Sequence, residues 1–230
     1  MVYPAAVGDH RRSRRQQLPD EVASYVRELI ISGQIRSGEF LRVERITAAL
    51  GVSSTPVREG LLTLQSEGFI RLVPRRGFLV APFTPQDLRD LFWTQAQLAG
   101  ELIARAATQI TPEQVARLEA NLDQYEKAFA SSDANSLAKL GHLFHRDINL
   151  AAGSSRLALL LGSIVRQLPN SFYTAIEGHV DQTRQAHPLI LDTLRVRQPR
   201  RARACMIDHL LDGSDHLIKM LKERGLWAAM

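Results

Sequence analysis

The chain has 230 residues, a formal net charge of +5, 45% hydrophobic and only 6% aromatic content, enough for two modest domains with cores of their own. No apolar run approaches the roughly 18 residues of a membrane span and nothing at the N-terminus resembles a signal peptide, so a cytoplasmic protein is expected. Cys205 is the only cysteine, which excludes an internal disulfide and a thiolate metal cluster.

The charge is unevenly spread. Residues 1–82 hold twelve Arg, no Lys and eight acidic side chains, a balance of +4, whereas residues 83–230 hold seventeen basic and sixteen acidic side chains, a balance of +1. Arginine forks bind phosphate oxygens and release counterions, so this asymmetry favours a nucleic-acid partner for the N-terminal part.

Residues 1–17, with Arg11-Arg12-Ser13-Arg14-Arg15, lack an apolar period and read as a flexible arm, either a solvated tail or a phosphate- or minor-groove contact. Leu18 to Ile35 reads as the first helix, with Val22, Tyr25/Val26 and Leu29/Ile30 as its buried stripe. Ser37-Gly38 turns the chain, and Arg42 leads into the next helix, placed to touch phosphate.

The stretch Val43 to Gly68 reads as two short helices joined by a tight turn. Val43, Ile46, Ala49 and Leu50 have helical spacing, Gly51 suits a left-handed C-cap, Ser53 or Ser54 can cap the next helix, and Pro56 fits its first turn. Val57, Leu61 and Leu64 recur at i, i+4 and i+7 and face the core, leaving Thr55, Arg58 and Glu59 outward. This is a helix-turn-helix pattern, in which the start of the second helix reads base edges. Two apolar runs, Phe69 to Val73 and Phe78 to Val80, flank a tip carrying Arg75, Arg76 and Gly77 and form a hairpin, which makes the unit a winged helix.

The segment from about Leu18 to Pro82 resembles the DNA-binding domain of the GntR family of bacterial transcription factors. The resemblance is carried by Ile31-Ser32-Gly33, Ser37-Gly38, Gly51 to Glu59 (Gly-Val-Ser-Ser-Thr-Pro-Val-Arg-Glu), Glu67 to Ile70 (Glu-Gly-Phe-Ile) and Arg75-Arg76-Gly77. It implies Ser53, Ser54, Thr55 and Arg58 as the base-reading set, with Arg42, Arg75, Arg76 and Gly77 as further DNA contacts. Ser54 stands where the family usually has Arg, and Leu62 where it often has a basic residue.

Beyond Pro82 the pattern becomes wholly helical. Thr84-Pro85-Gln86-Asp87 and Thr111-Pro112-Glu113-Gln114 are start signals, Asp133 caps a third helix, Gly153-Ser154-Ser155 separates it from a fourth, Pro169-Asn170-Ser171 precedes a fifth and Pro199 starts a sixth. The expected fold is mostly α: a winged helix-turn-helix with a small β-hairpin over 18–82, then an all-helical bundle of about six helices over 83–230. This bundle resembles the FCD domain, the ligand-sensing module of the FadR subfamily. Asp87 to Leu91, Phe144-His145, Ala151 to Gly153 with Leu157, Ala186-His187 with Leu191, and Pro199 to His209 carry that resemblance.

Many FCD domains hold a divalent metal with an Asp and a His four apart on one helix and one His from each of the last two helices. The matching positions here are Gly141, His145, His187 and His209, so the resemblance implies three ligands and lacks the carboxylate. If the last two helices are antiparallel about Gln198-Pro199, His187 and His209 each lie eleven residues from position 198 and share one height. Three neutral imidazoles suit Zn²⁺, and also Ni²⁺ or Cu²⁺. The alternative is buried histidines bonded to one another, to Asn149 or to water. In either case Gln95, His145, Asn149, His187 and His209 are expected to line an effector pocket. Ala96 and Gly100 align with two pocket-facing positions that carry Arg and Glu in many relatives, which weakens the inference of an organic-acid effector.

The expected function is a ligand-responsive transcription regulator that binds a pseudo-palindromic DNA operator as a homodimer, and by resemblance a repressor released by a small metabolite. Two alternatives are a constitutive DNA-binding protein with a degenerate pocket and a metal-dependent enzyme. No motif positions a base or nucleophile for the latter.

Overall fold

A computed structural model describes residues 9–169, 172, 180–223 and 226–227. The chain divides between Thr84 and Pro85 into two compact units.

The first unit runs α1 (Asp9–Ile31), β1 (Phe40–Leu41), α2 (Val43–Leu50), α3 (Ser54–Ser66), β2 (Ile70–Val73) and β3 (Gly77–Val80). Helical backbone thus begins at Asp9, where an arm was expected up to residue 17. Arg and Gln are good helix formers even without an apolar stripe, and Pro19 inside the helix removes its own N–H from the ladder and crowds the carbonyl four residues before it. The rest of the expected arm lies outside the described residues. The wing also holds a strand that the sequence reading missed: β1 pairs antiparallel with β3, Phe40 opposite Leu79, so the sheet order is β1-β3-β2. A two-residue strand is too short to show a period.

The core of this unit forms where α1 crosses α3. Val22, Val26 and Ile30 pack with Val57, Leu61 and Leu64, all of them buried. Gly60 permits the approach, because a Cβ there would lie 2.6 Å from the Pro19 carbonyl oxygen and 2.8 Å from Val22 Cγ1. Nearby, the buried Arg27 donates from Nε to Glu67 Oε2 at 3.2 Å and lies 5.7 Å from the Phe69 ring centroid. This ties α1 to the junction between α3 and the wing. Gly51, at φ +64°, ends α2 with its N–H on the Thr47 carbonyl and turns the chain toward α3.

The second unit contains α4 (Pro85–Gln109), α5 (Pro112–Ala130), α6 (Ala134–Ala151), α7 (Ser155–Val165), α8 (Val180–Arg195) and α9 (Pro199–Glu223). Thr111 and Gln114 form a reciprocal capping box on α5, and Asp133 accepts from the Ser136 N–H at the start of α6. The start signal at Pro169-Asn170-Ser171 runs into residues outside those described, and the described α8 begins at Val180. Leu102, Ile103, Phe144, Ile148, Ile190 and Met206 are among the residues of one buried core. Helix α4 packs closely on α9, where a Cβ on Gly100 would lie 2.9 Å from Ile207 Cγ1. No helix among the described residues is long and apolar enough to cross a membrane.

Because Gly60 faces a backbone carbonyl rather than a yielding side-chain tip, Gly60→Val is expected to force α1 from α3 at a cost of about 1–3 kcal/mol. Urea unfolding of the full chain checks this, and an unchanged midpoint for the first unit would show that the helices separate without penalty.

Candidate nucleic-acid interface and ligand pocket

In the first unit, α3 buries Pro56, Val57, Gly60, Leu61 and Leu64 and leaves Ser54, Thr55 and Arg58 exposed. Ser53 occupies the N-cap with extended backbone (φ −73°, ψ 168°), yet its hydroxyl makes no cap hydrogen bond. The first turn of α3 therefore presents hydroxyls and backbone N–H groups outward, an arrangement suited to anionic or polar partners.

Beside this turn lies an open groove of about 610 Å³, where Arg42, Arg58 and Arg76 meet Phe40, Leu62 and Leu72. The Arg76 guanidinium sits 4.5 Å above the Phe40 ring centroid, so the missed strand β1 supplies the platform that holds it. Among the described residues no carboxylate forms an ion pair with these three arginines. Their charge is available to a ligand. At the wing tip the Arg76 N–H donates to the Val73 carbonyl at 3.0 Å, with Pro74 and Arg75 between them. Arg75 takes φ +62° and Gly77 φ +100°. That is a type II turn with an arginine where glycine is favoured, which costs about 1–2 kcal/mol and keeps the Arg75 side chain exposed at the tip.

In the second unit α6, α8 and α9 bring His145, His187 and His209 together, with ligand nitrogens all within 4.8 Å of one another. His209 Nε2 lies 3.3 Å from both His187 Nε2 and His145 Nε2. A single ring nitrogen carries one proton or one lone pair, so it makes only one of these two contacts as a good hydrogen bond. Bonds of about 2.0–2.1 Å to a tetrahedral zinc would separate ligand nitrogens by about 3.3–3.4 Å, so the donor set and two of its spacings fit such an ion. Burial, then the neighbouring His209 and one further imidazole, pushes His145 and His187 well below the usual histidine range. Burial alone lowers His209 to about 4. The rings are therefore neutral at physiological pH, the form that ligates metals. Phe144 stacks on His187 at 4.2 Å between centroids and fixes its plane, while His187 Nδ1 is buried with no acceptor to orient it.

A pocket of about 610 Å³ opens against this cluster. Of the five residues expected to line it, Gln95, His145, Asn149 and His209 do so, whereas His187, 1% exposed, sits behind them. Asn149 Oδ1 is buried without a hydrogen-bond partner. Phe92, Ala99, Leu161 and Val165 supply apolar wall.

On α4 the structure departs from the sequence reading. Ala96 and Gly100 do not line the pocket; Gly100 faces Ile207 and Arg203 of α9, and the lining stripe on α4 is Phe92, Gln95 and Ala99. One residue is about 100° of helix rotation, so an alignment offset by one position exchanges the two faces. Gly141 is buried, and among the described residues no carboxylate joins the three imidazoles. His142 stays out of the cluster and lines the pocket instead, its pKa lowered by burial. The sequence reading also missed Arg146 and Arg166, both at the pocket wall. The available signals were the adjacency of Arg146 to His145 and the spacing of Arg166, one helical turn beyond Gly162.

The model of the FCD domain matches residues 90–212, and that of bacterial regulatory proteins, gntR family, matches residues 18–80. The Glc operon transcriptional activator of Escherichia coli (strain K12) is 28% identical over 227 residues, covering 86% of this chain and 88% of that protein. The HTH-type transcriptional repressor RspR of the same strain is 23% identical, covering 92% and 94%. The solved structure of E. coli McbR/YncC superposes with a TM-score of 0.65 at 23% identity, covering 90% of this chain and 98% of that one. These relatives are transcription regulators rather than enzymes. With an FCD domain over more than half its length and a gntR-type helix-turn-helix before it, this chain belongs to the GntR family of bacterial transcriptional regulators, in the group that carries an FCD effector-binding domain.

Proposed function

We propose that this regulator represses transcription by binding a pseudo-palindromic operator as a homodimer, one winged helix per half-site, and that a small metabolite in the pocket of the second unit releases it. The observation that carries the DNA reading is the sidedness of α3: its apolar stripe is buried while Ser53, Ser54, Thr55 and Arg58 face solvent beside the arginines of the groove. Arg58 is assigned to base edges, and Arg42, Arg75 and Arg76 to phosphates, with the Gly77 backbone holding the wing tip close to them. A two-fold protein matches a two-fold site, and the wing beside each recognition helix adds contacts that are independent of sequence. Repression follows the resemblance to RspR, although the Glc operon relative bears the name of an activator.

His145, His187 and His209 would hold a divalent metal, Zn²⁺ or Ni²⁺, through three neutral imidazole nitrogens. Once bound, the ion supplies a Lewis-acid site for an anionic or carbonyl oxygen of the effector. Gln95 and Asn149 orient that oxygen end by hydrogen bonding, and Phe92, Ala99, Leu161 and Val165 exclude water around the rest. Differential affinity of the effector for the DNA-competent and released states, worth about 1–3 kcal/mol, is enough to shift operator occupancy.

Fluorescence anisotropy on an operator selected from random DNA tests the first assignment. Arg58→Ala is expected to cost about 1–3 kcal/mol on that operator and little on random DNA, whereas Arg76→Ala weakens both about equally and lowers the salt slope by about 1. Equal losses on both DNAs for Arg58→Ala would remove it from base reading. For the metal, Zn²⁺ at about 100 times its Kd should add about 2.7 kcal/mol of stability, reversed by chelator and absent in the His187→Asn/His209→Asn double variant. Zinc retained by that variant in elemental analysis would place the site elsewhere.

A further inference from the structure

Two features of the pocket are not explained by the imidazole cluster. Arg146, next to His145 on α6, and Arg166, just past the end of α7, both line it and both are exposed at its mouth. Among the described residues neither forms an ion pair with a carboxylate, unlike Arg105, Arg184, Arg195 and Arg203 of the same unit, each of which has a partner within 2.8 Å. The Arg166 side chain folds back along α7 over Gly162, where a Cβ would lie 3.4 Å from Arg166 Nη1. A branched residue at Gly162 would meet that guanidinium on its path back over the helix.

Besides His142 and Ser155, the polar groups of the pocket include two sets. The deep set is neutral: Gln95, 2% exposed, with Asn149, His145 and His209. The outer set is cationic. Val165, Leu161 and Leu210 also line the pocket and offer a ligand only apolar contact. A ligand of one small polar group would leave one set unused, whereas an elongated one reaches both.

We propose that Arg166 and Arg146 form an anion-binding rim at the mouth of this pocket, so that the effector is an elongated molecule. One oxygen-bearing end meets the histidines, its middle is apolar, and its far end is a carboxylate or phosphate held by the rim. This rests on the reading of the pocket as the effector site and adds the class of ligand that it selects. The arginines act by charge-assisted, bidentate hydrogen bonding to the terminal group, and chain length decides whether that group reaches them.

Calorimetric titration of the full-length protein, with and without Zn²⁺, tests the rim. The probes are straight-chain monocarboxylates and α,ω-dicarboxylates of about four to ten carbons, a range set by the size of the pocket, with a parallel series ending in phosphonate. At one best length the dianion should bind about tenfold or more tightly than the monoanion of equal length, a gain that shrinks as salt rises. Whichever terminal anion gives the gain identifies the group. Arg146→Gln/Arg166→Gln should erase the difference, and Gly162→Val, which crowds Arg166 without removing its charge, should reduce it. Equal binding of monoanions and dianions at every length, or a gain that survives in the double arginine variant, overturns the proposal. So does a failure of every dianion to bind. The effector reading is tested separately: a melting shift with metabolite pools that disappears in Gln95→Leu keeps the pocket as the effector site even if the rim is refuted.

Discussion

The close seating of α9 on α4 at Gly100 is the constraint from which the chemistry of the second unit follows. With no side chain at Gly100, Ile207 and Arg203 of α9 come within ordinary contact of the α4 backbone, which fixes the height and rotation of α9. Two residues beyond Ile207, His209 reaches the Nε2 atoms of both His145 and His187. One turn before Gly100, Ala96 is wholly buried, and the next face of α4 turns Gln95 and Ala99 to the pocket. A wider spacing would move His209 away from a cluster whose separations match a metal only at about 3.3 Å.

Burial then sets the chemistry of that cluster. Desolvation disfavours imidazolium, and a protonated neighbour would disfavour it further, so all three rings stay neutral. Neutral imidazoles crowded nose to nose cannot all hydrogen-bond to one another, and a cation that accepted three lone pairs would resolve the conflict. The loss of a carboxylate at Gly141 leaves the donor set uncharged. A bound divalent ion would therefore keep its full charge toward the pocket, which favours an anionic ligand oxygen.

A related device appears in the first unit. Gly60 lets α3 lie against α1 at the Pro19 carbonyl, and the Arg27–Glu67 pair with Phe69 links that contact to the wing. Support on the buried face holds the exposed face in place, where the N-cap Ser53 hydroxyl is left unused by its own helix. The strand β1 contributes through Phe40, which holds Arg76 over its ring beside Arg42 and Arg58. The strained turn at Arg75 keeps a charged side chain at the wing tip in place of the glycine that local energetics favours.

The amino-acid sequence by itself determined the order of helices, the helix-turn-helix, the wing and the choice of candidate residues on α3. Those depend on local periodicity, capping and turn chemistry: the alternation of Val57, Leu61 and Leu64, the left-handed Gly51, the capping box at Thr111. The resemblance to the FCD domain pointed to His145, His187 and His209, and counting residues about Gln198-Pro199 put His187 and His209 at one height. Tertiary structure alone decided which face of α4 meets the pocket, since one residue's shift rotates a helix by about 100° and only packing at Gly100 sets that angle. It likewise decided that β1 exists, because a two-residue strand is held by its partner β3 rather than by its own propensity. The arginines at the pocket mouth became visible only in three dimensions, since they come from two helices and are joined by a cavity rather than by any spacing along the chain.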